Sequence, residues 1–361
     1  MLNSIVGNTT NEIVFKAIEK LIKDGEKSPS RNGDMYVLYN AILNLKNPRA
    51  RHLALEGRKS NIFALMAETF WVFAGSNKIS PYLEFFIPRA KDYSDDGETW
   101  RGGYPERIYR FEQLESMLNK FKVDGLHTRR ANLYIGNPDL DTDESLEEIF
   151  GINETKDIPC NQLMNAFVSV DKKVNVNMFS RSGDIIWGLG SINLFEFTYF
   201  QEIIYHWIKK NIDENVTLGE YSHFCTNMHL YEFTGKQGFG VIENESRQKL
   251  ALENNHNIDF PFTTSEEIKT FHQNLVKNFT KLITEKETDF NKAKSQNIEI
   301  EDKVLSKYVE LVTAFIVCKN RGVDSQFIDE DVEVDLDGLP EEIVWSIKHS
   351  HFRRFRIKDY V

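Results

Sequence analysis

Asp157-Ile158-Pro159-Cys160-Asn161-Gln162, followed by Arg181-Ser182-Gly183-Asp184, is the stretch that decides the fold of this chain. Proline ahead of cysteine holds one thiol at a rigid turn. A lone cysteine is more often a small buried apolar residue than a nucleophile. Its company changes that reading. Arg181 and Ser182 add a guanidinium and a hydroxyl, residue types that can donate to an anion. Working outward, Glu68 sits on an otherwise apolar stretch, Phe63 to Gly75. A buried acid costs free energy unless it is hydrogen-bonded or protonated. Glu68 is therefore an acid/base candidate, with its pKa raised by burial.

Composition bounds the rest. The 361 residues carry 44 Lys+Arg against 55 Asp+Glu, a formal charge of −11. That argues against a general nucleic-acid binder and leaves room for a local basic pocket. Hydrophobic residues at 41% and charged ones at 27% suit a soluble protein with a real core. Three cysteines exclude a disulfide scaffold and fit a reducing compartment. The apolar stretch at 63–75 is too short to span a bilayer. Met1-Leu2-Asn3-Ser4 lacks the basic start of a secretory signal. A cytoplasmic enzyme with no membrane partner is expected.

Periodicity places elements along the chain. Val14, Ile18, Leu21 and Ile22 predict a helix stopped at Gly25. Helices are also predicted at Ile62–Phe73, Glu112–Val123 and Ile192–Ile208. Strands are predicted at Ala131–Ile135, Asn165–Val170 and Val174–Phe179. From Ser265 onward Ile268, Leu275, Phe279 and Ile283 keep helical spacing, and further helices follow at about Glu301–Lys319 and after Pro340. The expected organisation is an α/β catalytic core, 1–250, and a helical C-terminal extension, 251–361. Asp331–Gly338 lacks the spacing of a calcium loop and reads as an acidic loop or edge strand. Gly235–Gly240 is no phosphate loop and reads as a flexible turn. His223, Cys225 and His229 match no zinc spacing, so no metal is expected.

Seven short motifs then fall in one order. They are Arg31-Asn32-Gly33-Asp34; Glu68-Thr69-Phe70-Trp71 with Gly75; Tyr104-Pro105-Glu106-Arg107-Ile108; Arg129-Arg130; Pro159-Cys160; Arg181-Ser182-x-Asp184 with Gly188 and Asn193; and His229-Leu230-Tyr231. Each alone is weak. Together they resemble the thymidylate synthase family, including its pyrimidine-nucleotide hydroxymethylase branch, over most of residues 10–235. The resemblance implies an α+β fold with a large mixed sheet flanked by helices, here with an added helical C-terminal region. It implies a homodimer with the sheets packed back to back. It also implies one-carbon transfer from 5,10-methylenetetrahydrofolate to C5 of a pyrimidine nucleotide.

By that resemblance Cys160 is the nucleophile that adds to C6, which turns a poorly nucleophilic ring into an enolate. Arg31, Arg181 and Ser182 bind the nucleotide phosphate, and Arg129 and Arg130 reach it across the dimer interface. Asn193 reads the base, because a carboxamide can pair with N3–H and O4 of uracil. His229 and Tyr231 bind the sugar hydroxyl. Glu68 works through water on the pyrimidine carbonyl, and Tyr104 assists removal of the C5 proton. Trp71 and Asp184 meet the folate, and Arg58-Lys59 its glutamate tail.

Four features depart from typical synthases. Asn161 stands where they have His. The spacings from Cys160 to Arg181 and from Arg181 to Asn193 are each one residue longer. About ten residues near Leu146–Thr155 look inserted. Trp187 replaces a smaller aliphatic. These suit a divergent or phage-type relative. The main expectation is conversion of dUMP to dTMP. The alternative is dUMP or dCMP hydroxymethylation, with water rather than hydride completing the reaction, so that exclusion of water by the chain's end, Tyr360-Val361, would matter. A third possibility is a nucleotide-binding regulator with a retired site.

Overall fold

The computed structural model describes residues 2–58, 60–243, 257–323, 329–349 and 355–358. The strands are β1 (Asn3–Gly7), β2 (Glu26–Ser28), β3 (Met35–Leu45), β4 (Asn132–Tyr134), β5 (Asn161–Val168), β6 (Lys173–Ser180), β7 (Gly183–Asp184), β8 (Thr217–Tyr231), β9 (Asp329–Val334) and β10 (Phe355–Ile357). The longer helices are α1 (Thr10–Asp24), α2 (Ile62–Ala74), α5 (Gln113–Val123), α8 (Leu194–Asn211), α10 (Ser265–Thr284) and α12 (Lys303–Asn320). Shorter ones are α3 (Tyr82–Phe86), α4 (Tyr104–Tyr109), α6 (Pro138–Asp141), α7 (Asp143–Ser145), α9 (Gly235–Glu243), α11 (Phe290–Ser295) and α13 (Glu341–His349).

The main sheet runs β1-β3-β8-β6-β5-β4 and is mixed, with β2 added to β3 and β7 to β8. Period-two alternation gives it two faces. Val174, Val176 and Met178 of β6 are buried under α8, whose Gln201 reaches the Val174 and Glu220 carbonyls at 3.0 Å. The other face carries Asn175, Asn177 and Phe179 of β6, with Phe179 stacked on Phe224 at 4.8 Å. In β3, Asn40 takes a left-handed φ of 53° where the pairing with β8 skips a residue. Asn tolerates that conformation better than most residues.

α2 is apolar all round because it is covered on both sides. Toward the sheet it meets α8, where Phe73 lies edge-on to Phe200 at 4.9 Å. On its outer side Phe63 stacks on Phe315 of α12 at 4.8 Å, and Phe70 lies 6.3 Å from Phe279 of α10. One apolar cluster therefore runs continuously from the sheet through α2 into residues 258–357. Buried Arg51, fully enclosed Glu202 and Arg49 form an ion-pair triad beside this junction, and the Glu202 carboxylate also accepts from the Ile258 amide.

The predicted helices appear within a few residues of their expected bounds. Asp331–Gly338 begins as the edge strand β9, paired with β10, so the C-terminal region is not wholly helical. Gly235–Gly240 is a correction. It lies in helix α9, where Gly238 packs on Leu230 and Ile18 and Gly240 faces Gly57. Small residues there allow the helix close approach to α1 and β8. No helix of the described residues is long and apolar enough to cross a membrane.

Candidate active site

Topology gathers the site at one end of the sheet. β5 is antiparallel to β6, β8 is parallel to β6, and β3 is antiparallel to β8. The start of β5, the ends of β6 and β8, and the start of β3 therefore share one edge. Cys160, Arg181, His229 with Tyr231, and Arg31 stand respectively at those four positions.

Arg181 is strapped to the cysteine turn. Its amide donates to the Cys160 carbonyl at 2.9 Å, its Nε to the Pro159 carbonyl at 3.1 Å and one Nη to the Ile158 carbonyl at 2.9 Å. Gln162 closes the turn with a bond to the Pro159 carbonyl at 2.6 Å. Burial pushes the Cys160 thiol above its ordinary value, and the nearby Arg181 cation opposes that shift. The cation acts in the expected direction, but enclosure outweighs it, so the unliganded thiol keeps its proton.

Four further groups gather around the Tyr104 hydroxyl beside the cysteine. Asn161 donates from Nδ2 to the Tyr104 hydroxyl at 3.0 Å, and its Oδ1 is buried without a hydrogen-bond partner. Burial raises the Tyr104 phenol, and nearby Cys160, Glu196 and Glu68 add to the shift. Glu68 is the one residue of α2 that keeps partial exposure, yet burial raises its pKa to about 8. Glu196, on the first turn of α8, is 1% exposed and held well above the usual carboxylate range by burial, with repulsion from Glu68 adding. Its Oε1 accepts from Asn193 Nδ2 at 3.0 Å. Sequence reasoning missed Glu196. Its signal was the one that revealed Glu68, an acid inside an apolar helical run.

Each one-residue departure in spacing coincides with a local irregularity. Between Cys160 and Arg181 the β5–β6 register shifts at Asn161/Leu163, leaving Gln162 as a bulge. Between Arg181 and Asn193 the chain forms a π turn over Gly188–Asn193, which holds an extra residue per turn. The start of α8 still faces Glu68 and Tyr104 through Glu196 and Phe197, and Asn193 is bonded to Glu196.

Asp184 pairs in register with His229. Its Oδ1 accepts from the Ile186 and Trp187 amides at 2.6 and 2.9 Å, and its Oδ2 is buried without a partner. Burial raises Asp184 and lowers His229, while their mutual attraction opposes both shifts. Tyr231 accepts from Asn32 Nδ2 at 3.3 Å. Ser182 is half-buried beside Arg181, and Arg31 is exposed and donates to the Thr155 carbonyl at 3.3 Å.

The remaining expected residues take structural contacts as well. Trp71 is 2% exposed, bonded through Nε1 to the Lys78 carbonyl at 2.8 Å, and lies under Gly103, so it supports the Tyr104 turn. Arg58 donates to the Ile186 carbonyl at 2.6 and 3.0 Å, with its pKa lowered by burial to about 10. It ties its loop to the Asp184 turn. Lys59, Tyr360 and Val361 lie outside the described residues. Arg107 is a clamp, paired bidentately with Asp141 at 2.7 Å. Arg129 and Arg130 precede β4, beside the far end of β5, where the Ala131 carbonyl accepts from Ala166. Six strand residues put them roughly 20 Å from Cys160 of the same chain. His223 uses its ring nitrogens on Ser180 and Tyr221, each at 3.0 Å, and the described residues contain no metal-holding cluster.

Among known proteins the chain is 31% identical to a deoxyuridylate hydroxymethyltransferase of Delftia phage PhiW-14, over 98% of each chain. The chain belongs to the thymidylate synthase family. Other members include deoxyuridylate hydroxymethyltransferases of Bacillus phage SP01 and Pseudomonas phage M6, each 28% identical. These matches cover 62% and 60% of this chain and 58% of each relative. No family model matches the chain. The family's fold is the mixed sheet described above. All three relatives carry the hydroxymethyl name, so that alternative is better supported than methylation to dTMP.

Proposed function

We propose that the chain transfers a one-carbon unit to C5 of dUMP and releases 5-hydroxymethyl-dUMP. The observation that carries this is the match to a hydroxymethyltransferase along the whole chain, the C-terminal helices included. The gathered Cys160, Arg181, Tyr104 and Glu68 supply the chemistry, which leaves a regulator with a retired site unsupported.

Methylenetetrahydrofolate, the proposed co-substrate, supplies carbon at the oxidation level of formaldehyde. The unpartnered Oδ2 of Asp184 fits such a donor-rich heterocycle, since a buried acceptor without a bond is costly. The residues of the chain do the rest. Arg31, Arg181 and Ser182 hold the phosphate through charge-assisted bonds. Asn193 reads the ring edge, and His229 and Tyr231 lie where the sugar would sit. The Cys160 thiol loses its proton as the nucleotide settles, and the sulfur bonds to C6. The displaced electron pair moves to the C4 oxygen, where Glu68, largely protonated at neutral pH, can donate through water. C5 then bonds to the carbon unit and loses its proton on the Tyr104 side; the electron pair left on C5 forms a double bond to that carbon as its bond to the folate nitrogen breaks, so tetrahydrofolate would leave with the nitrogen's pair. Water adds its oxygen to that carbon, the C–S bond breaks, and the electron pair returns to sulfur.

A homodimer is part of this proposal. The aromatic sheet face of Phe179 and Phe224 suits a second copy, and Arg129 and Arg130 stand too far from their own Cys160. Three free cysteines suit a reducing, cytoplasmic setting. The test is mass spectrometry of products from dUMP and methylenetetrahydrofolate. 5-Hydroxymethyl-dUMP with tetrahydrofolate is expected. dTMP with dihydrofolate would return the reading to methylation.

A further inference from the structure

Two groups of the proposed reaction act on neighbouring ring atoms, the Cys160 sulfur on C6 and the Tyr104 hydroxyl on the C5 proton. Their relative placement decides whether both steps can occur on one bound ring. A misplacement of roughly 1 Å can cost 10²-fold in rate. Arg181 holds three carbonyls of the cysteine turn, those of Ile158, Pro159 and Cys160. The carbonyl before them, on Asp157, is held by a residue to which the reaction gives no part.

We infer that Arg101 is a positioning residue, which fastens the lead-in to Cys160 onto the turn that carries Tyr104. Its Nη2 donates to the Asp157 carbonyl at 2.7 Å and to Thr155 Oγ1 at 3.0 Å, and its Nη1 donates to the Leu140 carbonyl at 2.7 Å. Thr155 Oγ1 in turn accepts from the Asp157 amide at 2.9 Å. The Arg101 carbonyl accepts from Arg107 Nε and Nη2, both at 3.2 Å. Arg107 is buried on α4, the helix that Tyr104 begins, so these bonds run from the Tyr104 helix to the cysteine segment. Arg101 lies three residues before Tyr104, and Asp157 three before Cys160. The Asn161–Tyr104 bond closes the same gap from the site side. Gly102 fits the contact, since a Cβ there would stand 2.5 Å from the Asp157 carbonyl oxygen. An enclosed guanidinium is costly. Arg101 is 10% exposed and is compensated by Asp95 and Asp141, each 13% exposed. A spacer with no demand on geometry would need neither the charge nor its two acids. The stretch that looks inserted supplies part of this brace. Phe150 lies under the guanidinium at 5.7 Å, and Thr155 ends the stretch.

This inference rests on the reaction proposed above, and the test keeps the two apart. Wild type, R101K and G102A are compared with dUMP and with dUMP deuterated at C5, with kcat and KM determined separately. R101K keeps the charge between Asp95 and Asp141 but lacks the fork that reaches Asp157, Thr155 and Leu140 together. G102A keeps every Arg101 donor and pushes the Asp157 carbonyl away. In both, kcat should fall about tenfold or more while KM for dUMP stays within about threefold, since the residues assigned to phosphate and sugar are unchanged. The C5 isotope effect on kcat should rise above the wild-type value, because removal of that proton slows relative to the other steps. A merely structural role would lower Tm and leave kcat and the isotope effect of the folded enzyme at wild-type values. That result overturns the inference, as does a rise in KM with kcat unchanged. If R101K does not fold, G102A decides alone. If wild type forms no product, the reaction assigned above fails, and alkylation of Cys160 by iodoacetamide still decides the role of Arg101. A loosened turn exposes the thiol, so both variants should react several-fold faster than wild type, and an unchanged rate overturns the inference.

Discussion

At the scale of single residues, the chemistry follows from enclosure competing with charge. Cys160 keeps its proton because burial outweighs Arg181. Alkylation of Cys160 by iodoacetamide, followed by mass spectrometry, should be slow at neutral pH and keep rising beyond the ordinary thiol range. R181A should slow it further, since the opposing cation is gone. A plateau near neutrality would contradict this assignment. Glu68 has a pKa near 8, against 4.5 in an open chain. Its folded pKa is raised, so the unfolded chain releases this proton first. Stability linked to Glu68 is complete below about 4.5 and is lost as pH rises toward 8, by a few kcal/mol in all. E68Q should therefore gain Tm relative to wild type across that window. If the protonated acid is the working form, kcat/KM falls above about pH 8 in wild type. In E68Q this limb disappears and activity drops by roughly 10²–10⁴-fold. Glu68 was visible in the sequence because it interrupts an apolar run, and Cys160 because it follows Pro159 within an ordered set of motifs. Their protonation was not visible, because it depends on what encloses them.

Among the elements, helices were easier to read than strands. α1, α2, α10 and α12 carry long apolar periods, and caps such as Thr9, whose side chain accepts from the Glu12 amide, mark their starts. The two long strands β3 and β8 escaped. Asn40 interrupts β3 with a left-handed φ, at the one missing pair of an otherwise unshifted ladder with β8. β8 carries Ser222, His223, Thr226, Asn227 and His229, polar residues that the fold satisfies only after neighbouring strands arrive. Gly235–Gly240 misled for the opposite reason, since its glycines serve close packing of α9 rather than a turn. The π turn offers a test at this scale. A Cβ at Gly190 would collide with the Ile185 carbonyl. G190A should lose about 1–3 kcal/mol in thermal denaturation. Because this turn aims Asn193, its KM for dUMP should rise more than kcat falls.

For the whole molecule, two questions concern what completes the fold and what completes the site. Phe315, Phe279, Leu275 and Ile268 are buried in the same cluster as α2. At about 1.5–3 kcal/mol each, their loss would remove roughly 6–12 kcal/mol. That rivals the whole stability of an ordinary domain, about 5–15 kcal/mol. A chain ending at residue 250 should therefore be insoluble or lack a cooperative melting transition, although composition suggested a boundary there. The dimer can be tested by mixing two inactive variants, C160A and R129A/R130A. Half of the reassorted dimers pair one of each, and each such pair holds one complete site, so about a quarter of wild-type activity should return. No recovery would mean that the twin arginines do not serve the partner's site. The order of motifs along the chain was enough to determine the family and the sheet-and-helix architecture and to point to Cys160 as the proposed nucleophile, because those depend on which residue types are present and how they are spaced. Only the tertiary structure decided that Glu196 joins the site, that burial rather than Arg181 governs the thiol, and that the C-terminal helices complete the core. Hydrogen-bond geometry, desolvation and shared packing are set by residues far apart in sequence, and no local pattern records which of them will meet.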